Sequence, residues 1–329
     1  MTRTLLLAYT RGVDADSDDL PSGGEGRHVD LDTMTFLVDI LLPLTVFMGM
    51  AVVGLDLTVG DFRRLVSLRL GVTLGLVVPI VLLPFLAVGF AKWLGLPPAV
   101  AGGLLILSAA PPAAISNLYA AMARANTALC VTLTAVSTVA CVFTMPLALS
   151  LGFRGLDLAG APVSIPVLRT MGHLVLLLIL PAGLGMAVRA WRPDLAARHG
   201  GWLKVLSLAM VLVPLFMIVG MQWRPVLQMM GTVVLAALLF TLVAAAVGYG
   251  LGVLSRPSPQ DRFTLAMNGS TRSFGVAAVV GATFMGRTDF LAFMAVFFLT
   301  HAALAVTAIL LFRTHGSPRL PRRAARSSQ

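Results

Sequence analysis

The sequence predicts an all-α polytopic membrane protein in which two of the spans are interrupted. Three observations carry that expectation. The 329-residue chain is 58% hydrophobic and only 12% charged, a balance outside the range of soluble domains. Apolar runs long enough to cross a bilayer recur along it. Two of those runs hold polar, small and helix-breaking residues near their middles.

Residues 1–33 differ from the rest. They contain seven acids, among them Asp14, Asp16, Asp18 and Asp19, together with Pro21-Ser22-Gly23-Gly24. Such a stretch buries too little apolar surface to fold, which predicts a disordered acidic tail. Leu5-Leu6-Leu7-Ala8 is too short for a signal-peptide core. Met34 stands at the start of the first span, so the tail reads as an extension ahead of the natural start. The transmembrane unit is expected over 34–313, with apolar runs at about 35–57, 70–94, 99–122, 127–151, 165–190, 203–222, 226–254, 263–284 and 288–312. A basic tail over 314–329 follows.

Nine spans place the termini on opposite sides. Fifteen Lys and Arg fall on one side, including Arg63, Arg64, Arg124, Arg256 and the cluster from Arg313 to Arg326; the short loops of the other side hold five, Lys92, Arg154, Arg169, Arg224 and Arg287. Cytoplasmic loops retain positive charge, so the C-terminus is expected in the cytoplasm and the N-terminus outside. The net charge of +10 is therefore a topology signal, and no nucleic-acid partner is expected. The basic tail suits either a purely topological role or contact with anionic lipid headgroups. Cys130 and Cys141 share one apolar run, too far apart on a helix for a disulfide, and read as buried small residues.

The third span carries Pro111-Pro112 followed by Ala113-Ala114-Ile115-Ser116-Asn117, and the eighth carries Asn268-Gly269-Ser270-Thr271-Arg272-Ser273, with Gly275 just beyond. Proline removes a backbone donor and glycine loosens a helix. Irregular backbone at that depth is tolerated only inside protein or beside a cavity. The two breaks occupy matching places in halves that start on opposite sides: repeat one at about 35–151, a linker span at about 165–190, repeat two at about 203–312. Paired interruptions in inverted halves mark the binding site of a secondary transporter.

Arg272 is the costliest residue in this pattern. A charge at mid-span costs roughly 2.5–3.5 kcal/mol on the lenient insertion scale. It stands about nine residues, ~14 Å of helix, from the nearer span end, too far to reach water easily. The acids within the spans, Asp39, Asp56 and Asp289, lie toward span ends.

Several motifs appear in order: Gly54-Leu55-Asp56-Leu57, Asp61-Phe62-Arg63-Arg64, Gly95-Leu96-Pro97-Pro98, Pro112-Ala113-Ala114-Ile115-Ser116-Asn117, Ala128-Leu129, the run Thr132 to Thr138, and Met145-Pro146-Leu147. In this order and spacing the chain resembles the nine-span form of the bile acid:sodium symporter family from Met34 to about Arg313. The resemblance implies panel and core domains, two broken helices crossing near the midplane, an organic-anion substrate, and two sodium ions behind the crossing. Ser116 and Asn117 match the family's Ser-Asn sodium ligands, and Thr134 matches a threonine ligand. Cys130 stands where a serine ligand is usual. Asn268 replaces the shared acidic ligand, Arg272 replaces the glutamine of the second site, and Pro79 replaces a second-span glutamine. The resulting set, Ser116, Asn117, Cys130, Thr134 and Asn268, is a degenerate sodium site without a carboxylate. A guanidinium repels a nearby cation at low dielectric. The second sodium site is thus expected to be absent and the first weak or absent, with no other cofactor.

Three roles for Arg272 follow. It donates to carbonyls in place of sodium; it pairs with a carboxylate or sulfate of the substrate, which suits its bidentate fork; or it makes a structural pair with Asp39 or with carbonyls. Ser116, Asn117, Asn268, Ser270, Thr271 and Ser273 are expected beside it in the substrate site, although each alone equally suits helix back-bonding. His173 and His301 lie within spans, where a hydrogen-bonded core histidine competes with proton coupling. The expected function is transport of a small organic anion, with sodium coupling weakened or lost, in a bacterial cytoplasmic membrane. A non-transporting sensor or receptor on the same fold is the alternative. A proton-coupled antiporter is opposed by the lack of any mid-membrane carboxylate. No nucleophile–base pair, metal-ligand spacing or phosphate loop points to an enzyme.

Overall fold

A computed structural model describes residues 33–58, 60, 70–156, 166–254 and 258–316. The acidic tail up to residue 32, the motif Asp61-Phe62-Arg63-Arg64 and the basic tail from residue 317 lie outside the described residues. Among the described residues all regular structure is helical.

The helices run in order as α1 (Leu42–Asp56), α2 (Leu70–Trp93), α3 (Pro98–Ala109), α4 (Ile115–Met122), α5 (Thr127–Leu156), α6 (Val167–Leu174), α7 (Leu180–Trp191), α8 (Pro193–Met221), α9 (Trp223–Leu254), α10 (Pro259–Ser270), α11 (Phe274–Ala278) and α12 (Phe290–Leu311). Wider π-type turns lead into α1 at Leu37–Leu41, join α6 to α7 at Val175–Ile179, extend α11 through Val279–Phe284 and follow α12 at Phe312–Gly316. Among the described residues, six stretches are long and apolar enough to cross a membrane: Thr33–Asp56, Thr127–Leu156, Val167–Trp191, Arg198–Met221, Met230–Leu254 and Phe290–Thr314. The expected runs at 99–122 and 263–284 are the two interrupted helices, α3–α4 and α10–α11.

Local sequence explains the helix ends. Gly95 takes φ +58 after α2, and Leu96 N–H returns to Ala91 O at 2.9 Å, a glycine-mediated helix stop. Pro98 then opens α3, where its missing donor costs nothing. Ser258 caps α10 in a reciprocal box with Asp261, with Pro259 at the first turn. α8 begins at Pro193, well before the apolar run expected from residue 203, because Pro193-Asp194 makes a favourable helix start.

Packing places the breaks at the centre. Val100 to Ala109 of α3 and all of α11 are buried; a helix that is apolar all round belongs inside a bundle. The surrounding core includes Leu104, Leu105, Phe290, Phe293 and Phe297. Backbones approach closely at small residues. A Cβ on Gly54 would stand 2.1 Å from Ala182 O, and one on Gly185 the same distance from Ala51 O. α1 and α7 are therefore locked at van der Waals range, as small residues allow between membrane helices. Gly248 of α9 does the same against Leu265 O of α10, at 2.4 Å.

Candidate functional site

The first break follows α3. Ala110 turns to φ −67, ψ 152, and Pro111-Pro112 cannot continue the hydrogen-bond ladder. Carbonyls at the end of α3 are thus left for partners outside the helix. The second break follows α10. Thr271 N–H, Thr271 Oγ1 and Ser270 Oγ all donate to Met267 O, at 3.0, 2.6 and 3.3 Å. Ser273 caps α11 by accepting from Val276 N–H at 3.4 Å. The breaks touch directly, because Ser273 N–H donates to Pro111 O at 2.9 Å.

Arg272 closes the same junction. It is 3% exposed. Its Nη1 donates to Ala110 O at 3.1 Å, and its Nη2 donates to Gly269 O. One guanidinium thereby joins the C-terminal ends of α3 and α10, where helix dipoles concentrate partial negative charge. Its Nε is buried without a partner. Asp39 is exposed, and Arg272 makes its bonds to carbonyls, so the expected pairing with that carboxylate is absent among the described residues.

A second cluster draws on α4, α5 and α10. Asn268 Nδ2 donates to Thr134 Oγ1 at 2.9 Å and reaches Cys130 Sγ at 3.8 Å. Cys130 Sγ donates to Ser116 Oγ at 3.5 Å, and Ser116 Oγ lies 3.4 Å from Thr134 Oγ1. Four of the five positions named from the sequence thus meet, and they bond to one another. The fifth, Asn117, has a buried Oδ1 with no partner. Asn268 turns its amide nitrogen, a donor, into the cluster. Pro79 is buried within α2.

Residues outside the expected substrate and sodium sets also reach the breaks. His301, 4% exposed in the middle of α12, places Nε2 3.4 Å from Thr271 Oγ1. Its ring lies 6.1 Å from that of Tyr119 on α4 and is stacked 6.2 Å from Phe297. His173 stacks instead on Phe284, at 4.8 Å. Asn126, between α4 and α5, donates from Nδ2 to Asp261 Oδ1 at 2.7 Å and from its backbone N–H to Thr264 Oγ1 at 3.1 Å. It also accepts from Leu129 N–H at 3.0 Å, capping α5. The Ser258-x-x-Asp261 box was a readable helix-start signal; its second use, holding Asn126 from 135 positions away, was not.

Comparison with known proteins follows the same lines. The profile of the Sodium Bile acid symporter family matches residues 43–229, which includes the first break and stops before the second. A Bacillus subtilis protein named an uncharacterized sodium-dependent transporter is 33% identical over 110 residues, covering 33% of this chain and 34% of the relative. The bovine P3 protein is 28% identical over 224 residues, covering 68% of this chain and 46% of the relative. Mouse sodium/bile acid cotransporter 4 is 27% identical over 300 residues, covering 86% of this chain and 67% of the relative. The chain thus spans about a third to a half of the length of the first two. With more than half of its length matched by the family profile and six helices fit to cross a membrane, the chain is an integral multi-pass membrane protein and belongs to the Sodium Bile acid symporter family.

Proposed function

We propose that this chain is a secondary transporter of a small organic anion, a carboxylate or sulfate, working by alternating access with sodium coupling weakened or lost. The observation that carries the reading is Arg272, whose guanidinium spans Ala110 O and Gly269 O at the ends of both interrupted helices. In a family whose name includes sodium, a built-in cation takes over carbonyls of the kind a sodium ion seeks. The donor set around Asn268 supports the same conclusion. Asn268 bonds with Cys130 and Thr134, and both of these bond in turn with Ser116; none of the four is a carboxylate, and Asn268 offers its donor end. Hard cations favour oxygen ligands with compensating negative charge, so this set fits sodium poorly.

The same reading assigns nine spans, with the α3–α4 and α10–α11 pairs counting as one span each, arranged as inverted repeats over about 35–151 and 203–312 around a linker at 165–190. The N-terminus is outside and the C-terminus cytoplasmic. Ser116, Asn117, Asn268, Ser270, Thr271, Arg272 and Ser273 form or support the surface met by the anion. Arg272 and the half-helix starts supply positive potential to an anionic headgroup.

Uptake into proteoliposomes tests this. Radiolabelled taurocholate, estrone sulfate, pantoate and pyruvate are supplied one at a time, with sodium or choline outside. The reading predicts that at least one anion is carried and that replacing sodium changes its rate little. Uptake that collapses in choline overturns the loss of sodium coupling. No carriage of any anion favours a sensor or receptor on this fold.

A further inference from the structure

The geometry points to His301 as a proton-coupling group: an anion entering at the crossing is carried together with one proton, held on His301 Nδ1. This inference rests on the anion-transport reading above.

His301 is the one ionisable residue of α12 (Phe290–Leu311), and it touches both interrupted helices. Thr271 belongs to the second break, and Tyr119 to the half-helix after the first. The hydrogen of Thr271 Oγ1 goes to Met267 O at 2.6 Å, so that oxygen accepts from His301 Nε2–H. The neutral ring is therefore the Nε2–H tautomer, and its Nδ1 lone pair is where a proton adds. No covalent bond breaks; the imidazole becomes an imidazolium.

The surroundings make that proton depend on an anion. Thr271 is the immediate chain neighbour of Arg272, so protonation adds a second cation beside a guanidinium already held by neutral carbonyls. Among the described residues, the elements packed against α12 supply no compensating acid. α3 and the α11 stretch through Phe284 have no ionisable residues. α4 brings Tyr119. α10 brings Asp261, engaged with Asn126 at the helix start, and Arg262. Those of α8 and α9, such as Lys204, Arg224 and Tyr249, are exposed. Two adjacent cations without a carboxylate are favourable only when an anion is present. By reciprocity, the bound anion favours protonation and the proton favours the anion.

The test uses the full chain. Taurocholate, estrone sulfate, pantoate and pyruvate are added in turn to the purified protein in weakly buffered detergent solution containing a pH indicator. Counterflow in proteoliposomes identifies in parallel which of them is carried. The carried anion is expected to draw protons from solution, approaching one per anion bound, and its apparent affinity to weaken by up to about tenfold per unit rise in pH. H301Q, which keeps a donor for Thr271, is expected to retain counterflow and lose the proton uptake. Counterflow without proton uptake in the unaltered protein overturns the coupling and leaves the transport reading standing. Equal proton uptake in H301Q overturns it as well. If H301Q does not fold, the indicator result on the unaltered protein decides alone. No counterflow of any anion overturns both readings.

Discussion

Ser273 and Pro111 stand 162 positions apart in the chain, yet the N–H of Ser273 donates to the carbonyl of Pro111 at 2.9 Å. Proline made that carbonyl available by ending α3, and Ser273 has a free amide because α10 has already stopped. The two interruptions satisfy each other. This bond and the Arg272 fork beside it hold irregular backbone together where water is scarce.

Removing the fork should destabilise the protein. Arg272→Met keeps an apolar stem and leaves the Ala110 and Gly269 carbonyls without a charged donor. Each lost buried bond costs about 1–3 kcal/mol, offset in part by relief of an unpaired buried charge. Arg272→Lys retains the charge but not the two-armed geometry. Melting in detergent should rank the unaltered protein first, Arg272→Lys second and Arg272→Met last; equal melting temperatures would remove the clamp.

The bond between the breaks can be deleted almost alone. Ser273 has φ −76, within the range proline adopts, so Ser273→Pro removes the amide with little strain at that residue. Both Ser273→Pro and Ser273→Ala lose the cap on Val276 N–H. The proline variant should be less stable than the alanine variant by about 1–3 kcal/mol, read from chemical or thermal unfolding.

Asn126 and Asp261 should be energetically coupled. Their bond ties the turn before α5 to the first turn of α10. A double-mutant cycle with Asn126→Ala and Asp261→Ala should return an interaction of about 0.5–3 kcal/mol. Additive losses would mean that the two residues act only as separate caps.

Glycines that look alike in sequence should separate sharply. Gly54→Ala and Gly185→Ala each drive a methyl to 2.1 Å from a carbonyl of the facing helix, and overpacking of this kind costs about 1–3 kcal/mol. Gly220, in α8, has nothing within 4 Å of an added Cβ, so Gly220→Ala should be neutral or stabilise by about 0.5–1 kcal/mol. Melting temperatures of the three variants check the contrast.

Much of this was readable in the chain. Pro111-Pro112 and the polar run from Asn268 to Ser273 announce both breaks, since each opposes a continuous apolar helix. Arg272 stands out by cost alone. Its acceptors do not, because Ala110 and Gly269 contribute backbone carbonyls, which carry no mark of residue type. The Asn126–Asp261 bond is hidden for another reason: it depends on how two distant helix starts meet. His301 read as an ordinary core histidine because no acid is near it in sequence; its neighbours at the breaks come from α4 and from the end of α10. The apolar run at about 203–222 does not mark the start of α8 at Pro193, because the first turns of that helix are polar.

The central claim is that Arg272 stands in for an ion. Its most direct test is the melting temperature of the purified protein in sodium against choline at constant ionic strength, for the unaltered chain and for the double variant Asn268→Glu, Arg272→Gln. The account predicts no sodium effect on the unaltered chain and a sodium-dependent rise for the double variant, which regains a carboxylate and loses the guanidinium. Sodium-dependent stabilisation of the unaltered chain, or none in a folded double variant, would contradict it.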